Sequence, residues 1–271
     1  MKIYIEGSAH HKNEAGMGLL QSQGFEFDRS YDKNIKYDQI HIFNQIKNIE
    51  GQNCTHIYGP HFYHLDMPHY DFSENEYMNC LSKWNKDLTH ILRSDIRCIA
   101  LPFPVDVDRF IPKQKTGKPV LYYKNRDPEL FKEVLFYFKQ DFTVFKYGSY
   151  NENDYLEAMG QAPYCIWVGC HESQGFAFQE AMSCNTPIYV VDVKSLRDEW
   201  GPTMWRNFLP GRELPATTAS SFSGDCGLIT DTESWKEDFD KFMSNIKNYS
   251  PRQFVLDNLS PQACAEKWRN I

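Results

Sequence analysis

Apolar and polar positions alternate along this chain in short runs, with longer stretches of helical spacing between them. Lys2–Glu6 (KIYIE), Gln39–Phe43 (QIHIF) and Thr55–Tyr58 (THIY) read as strands, bounded by glycine, proline or polar residues. Glu14–Gln23 predicts a helix stopped by Gly24. Tyr77–Leu92 predicts another, because Leu81, Trp84, Leu88 and Leu92 recur on one face. Arg97–Leu101 (RCIAL) is a further short strand. The segment Pro102–Pro112 then carries three prolines in eleven residues and runs into Lys-Gln-Lys-Thr-Gly-Lys, so it is read as a connector.

Beyond it the alternation is cleaner. Strands are expected at Val120–Tyr123, Phe142–Tyr147, Tyr164–Cys170 and Ile188–Val193, with helices at Pro128–Lys139, Asn153–Gly160 and Gly175–Ser183. That order predicts a parallel sheet with helices on both faces, and such sheets bind ligands at the carboxyl ends of their strands. Pro251–Ile271 reads as one helix with Trp268 as its apolar anchor.

A length of 271 residues suits two domains or one large one. The apolar share is 41%, and aromatics at 15% supply enough buriable area for a real core. A formal net charge of −7 argues against nucleic acid or an anionic membrane as the main partner. The start lacks a signal-peptide pattern, and no apolar run is long enough for a transmembrane segment. The eight cysteines form no C-x-x-C pair and sit mostly in apolar runs, which suits reduced thiols in a cytoplasmic protein.

The segment 164–193 carries the chemistry. An apolar strand runs into His171-Glu172-Ser173-Gln174-Gly175 and then into a helix containing Glu180. Gly175 lets the main chain approach a ligand, and the new helix offers unpaired N–H groups to a phosphate. Glu172 and Glu180 would repel an anion unless they accept hydrogen bonds from hydroxyls. Sugar and ribose rings supply those hydroxyls, so the pattern points to a nucleotide-sugar. Taken singly, each glutamate also reads as a helix-start acid favoured by the dipole.

Glu172-x-x-Gly175-x-x-x-x-Glu180-Ala181-Met182, followed by Cys184-Asn185-Thr186-Pro187 and an apolar strand, resembles the E-x7-E signature of retaining family-4 glycosyltransferases. Pro104–Pro112 resembles their interdomain segment, and Tyr123-Lys124-Asn125-Arg126 stands where that family keeps basic residues for the diphosphate. The family often has an aromatic at the position of Gln174 and a glycine at that of Asn185. Asn185 can cap a helix in the left-handed conformation. The resemblance covers about residues 97–271.

The resemblance implies the α/β GT-B fold, two Rossmann-like domains with parallel sheets facing a cleft, the first one compact. The expected divisions are an acceptor-side domain 1–103, a connector 104–112, a nucleotide-sugar domain 113–255, and a helix 256–271 returning to the first. It implies transfer of a hexosyl or pentosyl group from a UDP- or GDP-linked sugar to a glycan or other hydroxyl, with retention and without metal or cofactor. In that scheme Glu172 meets the donor sugar, Glu180 the ribose, and the Gly175 and Phe176 amides the phosphate. Ser173 and Gln174 line the donor, and Lys124 and Arg126 balance charge on the leaving diphosphate. A non-catalytic nucleotide-sugar or glycan-binding module, or a GT-B epimerase, remain alternatives.

Gly148 and Tyr150, at the end of a strand, are candidates for the base pocket or an ordinary turn. Asp106-x-Asp108 resembles a metal-binding D-x-D, but Pro102 and Pro104 break the strand such a motif should follow, so a turn is expected. Eight of the nine histidines fall in residues 1–90. His61, His64 and His69 lack a cysteine or acidic partner for a ligand set. Most of these histidines are expected in loops or at the surface, and His10 and His11, after the first strand, are candidates for acceptor contacts.

Overall fold

The computed structural model describes residues 1–45, 47, 49, 52–60, 71–199 and 213–271. These divide into two compact units, Met1–Asp106 with Leu259–Ile271, and Val107–Asn258. Each is built on one parallel sheet.

In the first unit, β1 (Lys2–Glu6), β2 (Glu26–Asp28), β3 (Gln39–Ile42), β4 (Thr55–Tyr58), β5 (Glu76–Asn79) and β6 (Cys98–Ile99) stand in the order β2-β1-β3-β4-β5-β6. Helix α1 (His11–Gln21) follows β1 and α2 (Lys83–Leu92) follows β5. One core cluster gathers Tyr4, Tyr37, Ile40, Ile42, Tyr58 and Met78. Trp268 is fully buried, with its indole N–H donating to Pro102 O at 3.1 Å. Its ring stacks on His41 at 4.6 Å and meets Phe25, Phe27 and Phe103 edge-on.

In the second unit, β7 (Val120–Tyr123), β8 (Thr143–Lys146), β9 (Cys165–Val168), β10 (Ile188–Val191) and β11 (Gly227–Thr230) stand in the order β11-β10-β9-β7-β8. The inner strands CIWV and IYVV are buried at every position, as a parallel sheet covered on both faces requires. Edge strand β8 instead exposes alternate residues. The helices are α3 (Pro128–Phe138), α4 (Glu152–Gln161), α5 (Phe176–Ser183), α6 (Trp235–Ser244) and α7 (Pro251–Leu259), which runs up to the unit boundary; α8 (Pro261–Arg269) lies in the first unit. Arg252 of α7 ties the connector to the end of α5, donating to Val107 O, Phe110 O and Ser183 O at 3.0, 2.9 and 2.7 Å.

Four expectations change. Tyr77–Leu92 is not one helix: its first residues form β5, Leu81 takes a left-handed φ of 61°, and only Lys83–Leu92 is helical. The C-terminal helix is two, because Ser260 caps a new helix at Ala263 N and Pro261 opens it. β2, β11 and α6 are present although the apolar pattern did not point to them. His41 and His56, on the strands read for them, are buried and not at the surface. Asn185 does take the left-handed state, φ 53°, just past α5, and residues 107–109 form a turn.

Both sheets share one feature of strand order. In each sheet the chain leaves one strand, pairs outward on one side, then returns to pair on the other. That leaves a switch point between β1 and β3 in the first sheet and between β7 and β9 in the second. In sheets of this kind ligands bind beside such switch points, at the carboxyl ends of the strands.

Candidate functional site

The switch point of the second sheet brings two charged side chains together. β7 hands over to Lys124, whose backbone N–H donates to Val168 O, the last residue of β9, at 3.0 Å. β9 then continues through Gly169, Cys170 and His171 to Glu172. Lys124 Nζ donates to Glu172 Oε1 at 2.8 Å, and the two side chains are only 13% and 14% exposed. The ammonium also lies 4.5 Å from the ring centre of Tyr147. Burial penalises the Lys124 charge, but the Glu172 carboxylate outweighs it and holds the lysine pKa above its ordinary value.

Three residues later the chain turns into α5. Gly175 sits at the N-cap with φ 77° and ψ 57°, a left-handed conformation that disfavours any side chain. A Cβ there would stand 3.2 Å from Glu172 Cβ and 3.4 Å from Ser220 Oγ. Glycine therefore lets the loop fold back over Glu172, and it presents the first-turn amides of α5 without a capping side chain. The loop is pinned from several sides. Glu172 N donates to Thr217 O at 3.1 Å, Gln179 Nε2 to Gln174 O at 2.8 Å, and Tyr155 OH to Ala177 O at 2.6 Å.

The sequence candidates fall in different places. Lys124, Glu172 and Gly175 meet at this edge. Ser173 is exposed, Phe176 opens α5 half-buried, and Glu180 is the fifth residue of that helix, 5% exposed. Gln174 is buried and turns its amide to Gln179 Oε1 at 3.1 Å, so its side chain braces the loop. Arg126, read as a cation for the diphosphate, is engaged by the protein's own carbonyls. It is buried, with Nη1 donating to Gly169 O at 3.1 Å and Val191 O at 3.2 Å, which ties the ends of β9 and β10 together. Gly148 is exposed at φ 74°, whereas Tyr150 packs among Tyr122, Phe145 and Tyr155. His10 and His11 are exposed in the first unit, where His10 Nδ1 accepts the Lys12 N–H at 3.3 Å as the N-cap of α1. His61, His64 and His69 lie outside the described residues.

Other residues here escaped the sequence reading. Asp192, directly after β10, accepts from Thr217 Oγ1 at 2.7 Å, Thr218 N at 2.6 Å and Val193 N at 2.9 Å. Burial raises its pKa against the pull of those bonds. It fixes the segment that in turn holds Glu172, and an aspartate ending an apolar strand was a usable signal. Cys170 Sγ, a ring nitrogen of His171 and a Glu199 carboxylate oxygen lie within 4.8 Å of one another, a set able to ligate a metal ion. The pairing of His171 Nδ1 with Glu199 Oε2, 3.3 Å apart, depends on a partner 28 residues away that no local motif announces. Burial raises the Glu199 pKa, but His171, Cys170 and Lys124 together leave it below the usual range. The Lys124 charge acts on Cys170 as well, which opposes a cation at this spot.

No protein-family model matches the sequence, and comparison with curated proteins finds no relative. Solved structures do match. The chain is similar to AviGT4, a glycosyltransferase involved in avilamycin A biosynthesis, at 12% identity and a TM-score of 0.57, covering 99% of this chain and 96% of that one. It is similar to the lipopolysaccharide outer core galactosyltransferase WaaB at 12% identity and 0.54, covering 100% and 98%. Sucrose-phosphate synthase from Thermosynechococcus elongatus matches at 10% identity and 0.53, covering 99% and 97%. With two parallel-sheet α/β units and these neighbours, the chain has the GT-B glycosyltransferase fold.

Proposed function

We propose that this chain is a glycosyltransferase. Its second unit takes a nucleoside-diphosphate-sugar, UDP- or GDP-linked, and its first unit takes a hydroxyl acceptor such as a glycan. The observation that carries the reading is the Lys124–Glu172 pair set against the glycine-started helix α5 at the switch point of the second sheet. Two similar proteins named for glycosyl and galactosyl transfer support it.

A cation, a carboxylate and a row of helix N–H groups suit the three parts of such a donor. The α5 amides and Lys124 hold the diphosphate, and Lys124 gains most as negative charge grows on the departing phosphate oxygen. Glu172 accepts hydroxyls of the transferred sugar, and Glu180 those of the ribose. Arg126 is a positioning residue that keeps the ends of β9 and β10 in register beneath them. In this reading fixed positive charge does the work that a metal ion would do, so the reaction needs none; retention of configuration is what the resemblance around Glu172 and Glu180 implies.

Titration with UDP, GDP and their sugar conjugates tests the donor site, and hydrolysis of donor in the absence of acceptor tests the chemistry. Binding of one nucleoside diphosphate that persists in EDTA is the expected result. Loss of binding on chelation, restored by Mn²⁺ or Mg²⁺, overturns the metal-independent part. Donor bound but never hydrolysed or transferred points to a binding module, and donor converted to an epimer points to an epimerase.

A further inference from the structure

The first unit carries a constellation at its own switch point that parallels the one in the second. β1 ends at Glu6 and β3 at Ile42, and the two strands pair side by side with Glu6 opposite Ile42. Glu6 accepts from Lys47 Nζ at 2.7 Å and from Gln45 Nε2 at 3.3 Å, both on the chain leaving β3, and from the Tyr4 hydroxyl below it. Lys47 and Tyr4 hold the Glu6 carboxyl below its usual pKa, so it is ionised at neutral pH. The Glu6 side chain remains 19% exposed and that of Lys47 53%.

The main chain around this carboxylate is built tightly. Gly7 has φ 85°, and a Cβ there would stand 2.6 Å from Phe43 O, so the two departing loops touch backbone to backbone. Asn44 takes a left-handed φ of 58° and donates to Ser8 O at 2.8 Å, and Arg29 Nη1 donates to Gly7 O at 3.0 Å. Non-glycine residues held at positive φ gather where a surrounding site over-determines them. Three hydrogen bonds use three of the roughly four acceptor positions of a carboxylate, and one of the three ammonium donors of Lys47 goes to Glu6. The pair can therefore both accept from one hydroxyl and donate to a neighbouring one.

We propose that Glu6 and Lys47, with Gln45 beside them, form a carbohydrate-binding site at the β1/β3 switch point, taking adjacent hydroxyls of a neutral sugar ring. The site would hold the acceptor, and in that role it rests on the transferase reading.

Saturation-transfer NMR with a panel of methyl hexosides tests it, beside calorimetric titration of UDP and GDP on the same wild-type protein. At least one hexoside should show saturation transfer. Glu6→Gln and Lys47→Met should each abolish it with the fold intact by circular dichroism, while Lys83→Met, which removes an exposed helix ion pair in the same unit, should leave it. Lys47 is half-exposed, so its variant stands even where Glu6→Gln fails to fold. A signal unmoved by either variant, no signal from any hexoside, or binding of inorganic phosphate alone overturns the proposal. Nucleotide binding without hexoside binding sinks this site and leaves the donor reading standing. Hexoside binding through Glu6 without nucleotide binding keeps the site and removes the transferase role.

Discussion

Lys124 and Glu172, 48 residues apart, form a nearly water-free ion pair 2.8 Å long across the seam between β7 and β9. A pair so placed is costly to maintain for stability alone, since packed apolar groups often serve as well. Its place at the carboxyl edge of a parallel sheet suits a ligand that exchanges contacts with both members. Stability and affinity should therefore respond differently to its removal.

Lys124→Met leaves the Glu172 carboxylate, only 14% exposed, beside an apolar chain. Breaking a fully buried pair costs about 3–5 kcal/mol, and the residual exposure here brings the expectation below that range. Lys124→Met with Glu172→Gln should recover most of the stability, because no unpaired charge remains. Nucleoside-diphosphate affinity should fall on the order of 10–100-fold in both the single and the double variant. Denaturant melts and calorimetry on the same samples check this, and affinity that recovers together with stability would reduce the pair to a structural contact.

Glu172→Ala and Glu180→Ala should fail in different ways. If Glu180 holds ribose, its loss weakens free nucleoside diphosphate and intact donor alike, by about 1.5–3 kcal/mol. If Glu172 meets the sugar, its loss slows transfer more than it weakens the free nucleoside diphosphate, because the contact strengthens in the transition state. Two helix-start acids would instead each contribute about 0.3–1 kcal/mol to stability and nothing to affinity. Paired titrations with nucleoside diphosphate and donor distinguish these outcomes.

Much of this was legible in the chain. The second sheet announced itself because its inner strands are buried on both faces and so are apolar without interruption, as in YCIWVGC. The Glu172–Glu180 segment was legible because a left-handed glycine and a helix start are local events. The rest depended on tertiary partners. Arg126 read as a cation for the diphosphate, whereas the ends of β9 and β10 supply carbonyls for it. Tyr77 and Met78 share helical spacing with the residues of α2, yet β4 and β6 on either side drew them into a strand. His41 resembled other polar residues of the first unit, and only the stacking Trp268 and the Gln39 amide explain its burial.

Arg126→Met removes two hydrogen bonds to buried carbonyls, and unsatisfied buried acceptors cost about 1–3 kcal/mol each at most. A fall in melting temperature with a modest change in nucleotide affinity is expected. An undiminished melting temperature with affinity lost a hundredfold would instead make Arg126 a direct phosphate ligand.

Gly175→Ala forces a Cβ into a left-handed backbone, which costs about 1–2 kcal/mol, and sets it 3.2 Å from Glu172 Cβ. The loop must shift to relieve the contact, moving the carboxylate and the α5 amides together. Nucleotide affinity should drop along with stability, and a variant that binds as tightly as the parent would count against the α5 N-terminus as the phosphate site.

His41 gives a pH signature within the first unit. Burial lowers its pKa from 6.5 to about 3, so the folded protein keeps it neutral through the acid range, stacked on Trp268 and bonded to Gln39 Oε1 at 3.0 Å. The unfolded chain takes up a proton below about pH 6.5. Its contribution to stability is therefore complete above pH 6.5 and is lost as pH falls from there toward 3, at about 1.4 kcal/mol per pH unit. His41→Phe keeps an aromatic face against Trp268 but cannot titrate. The difference in unfolding free energy between pH 7 and pH 5 should thus be about 2 kcal/mol smaller in the variant than in the parent. Equal pH dependence in the two proteins, measured by urea denaturation, would mean that His41 is protonated within the fold.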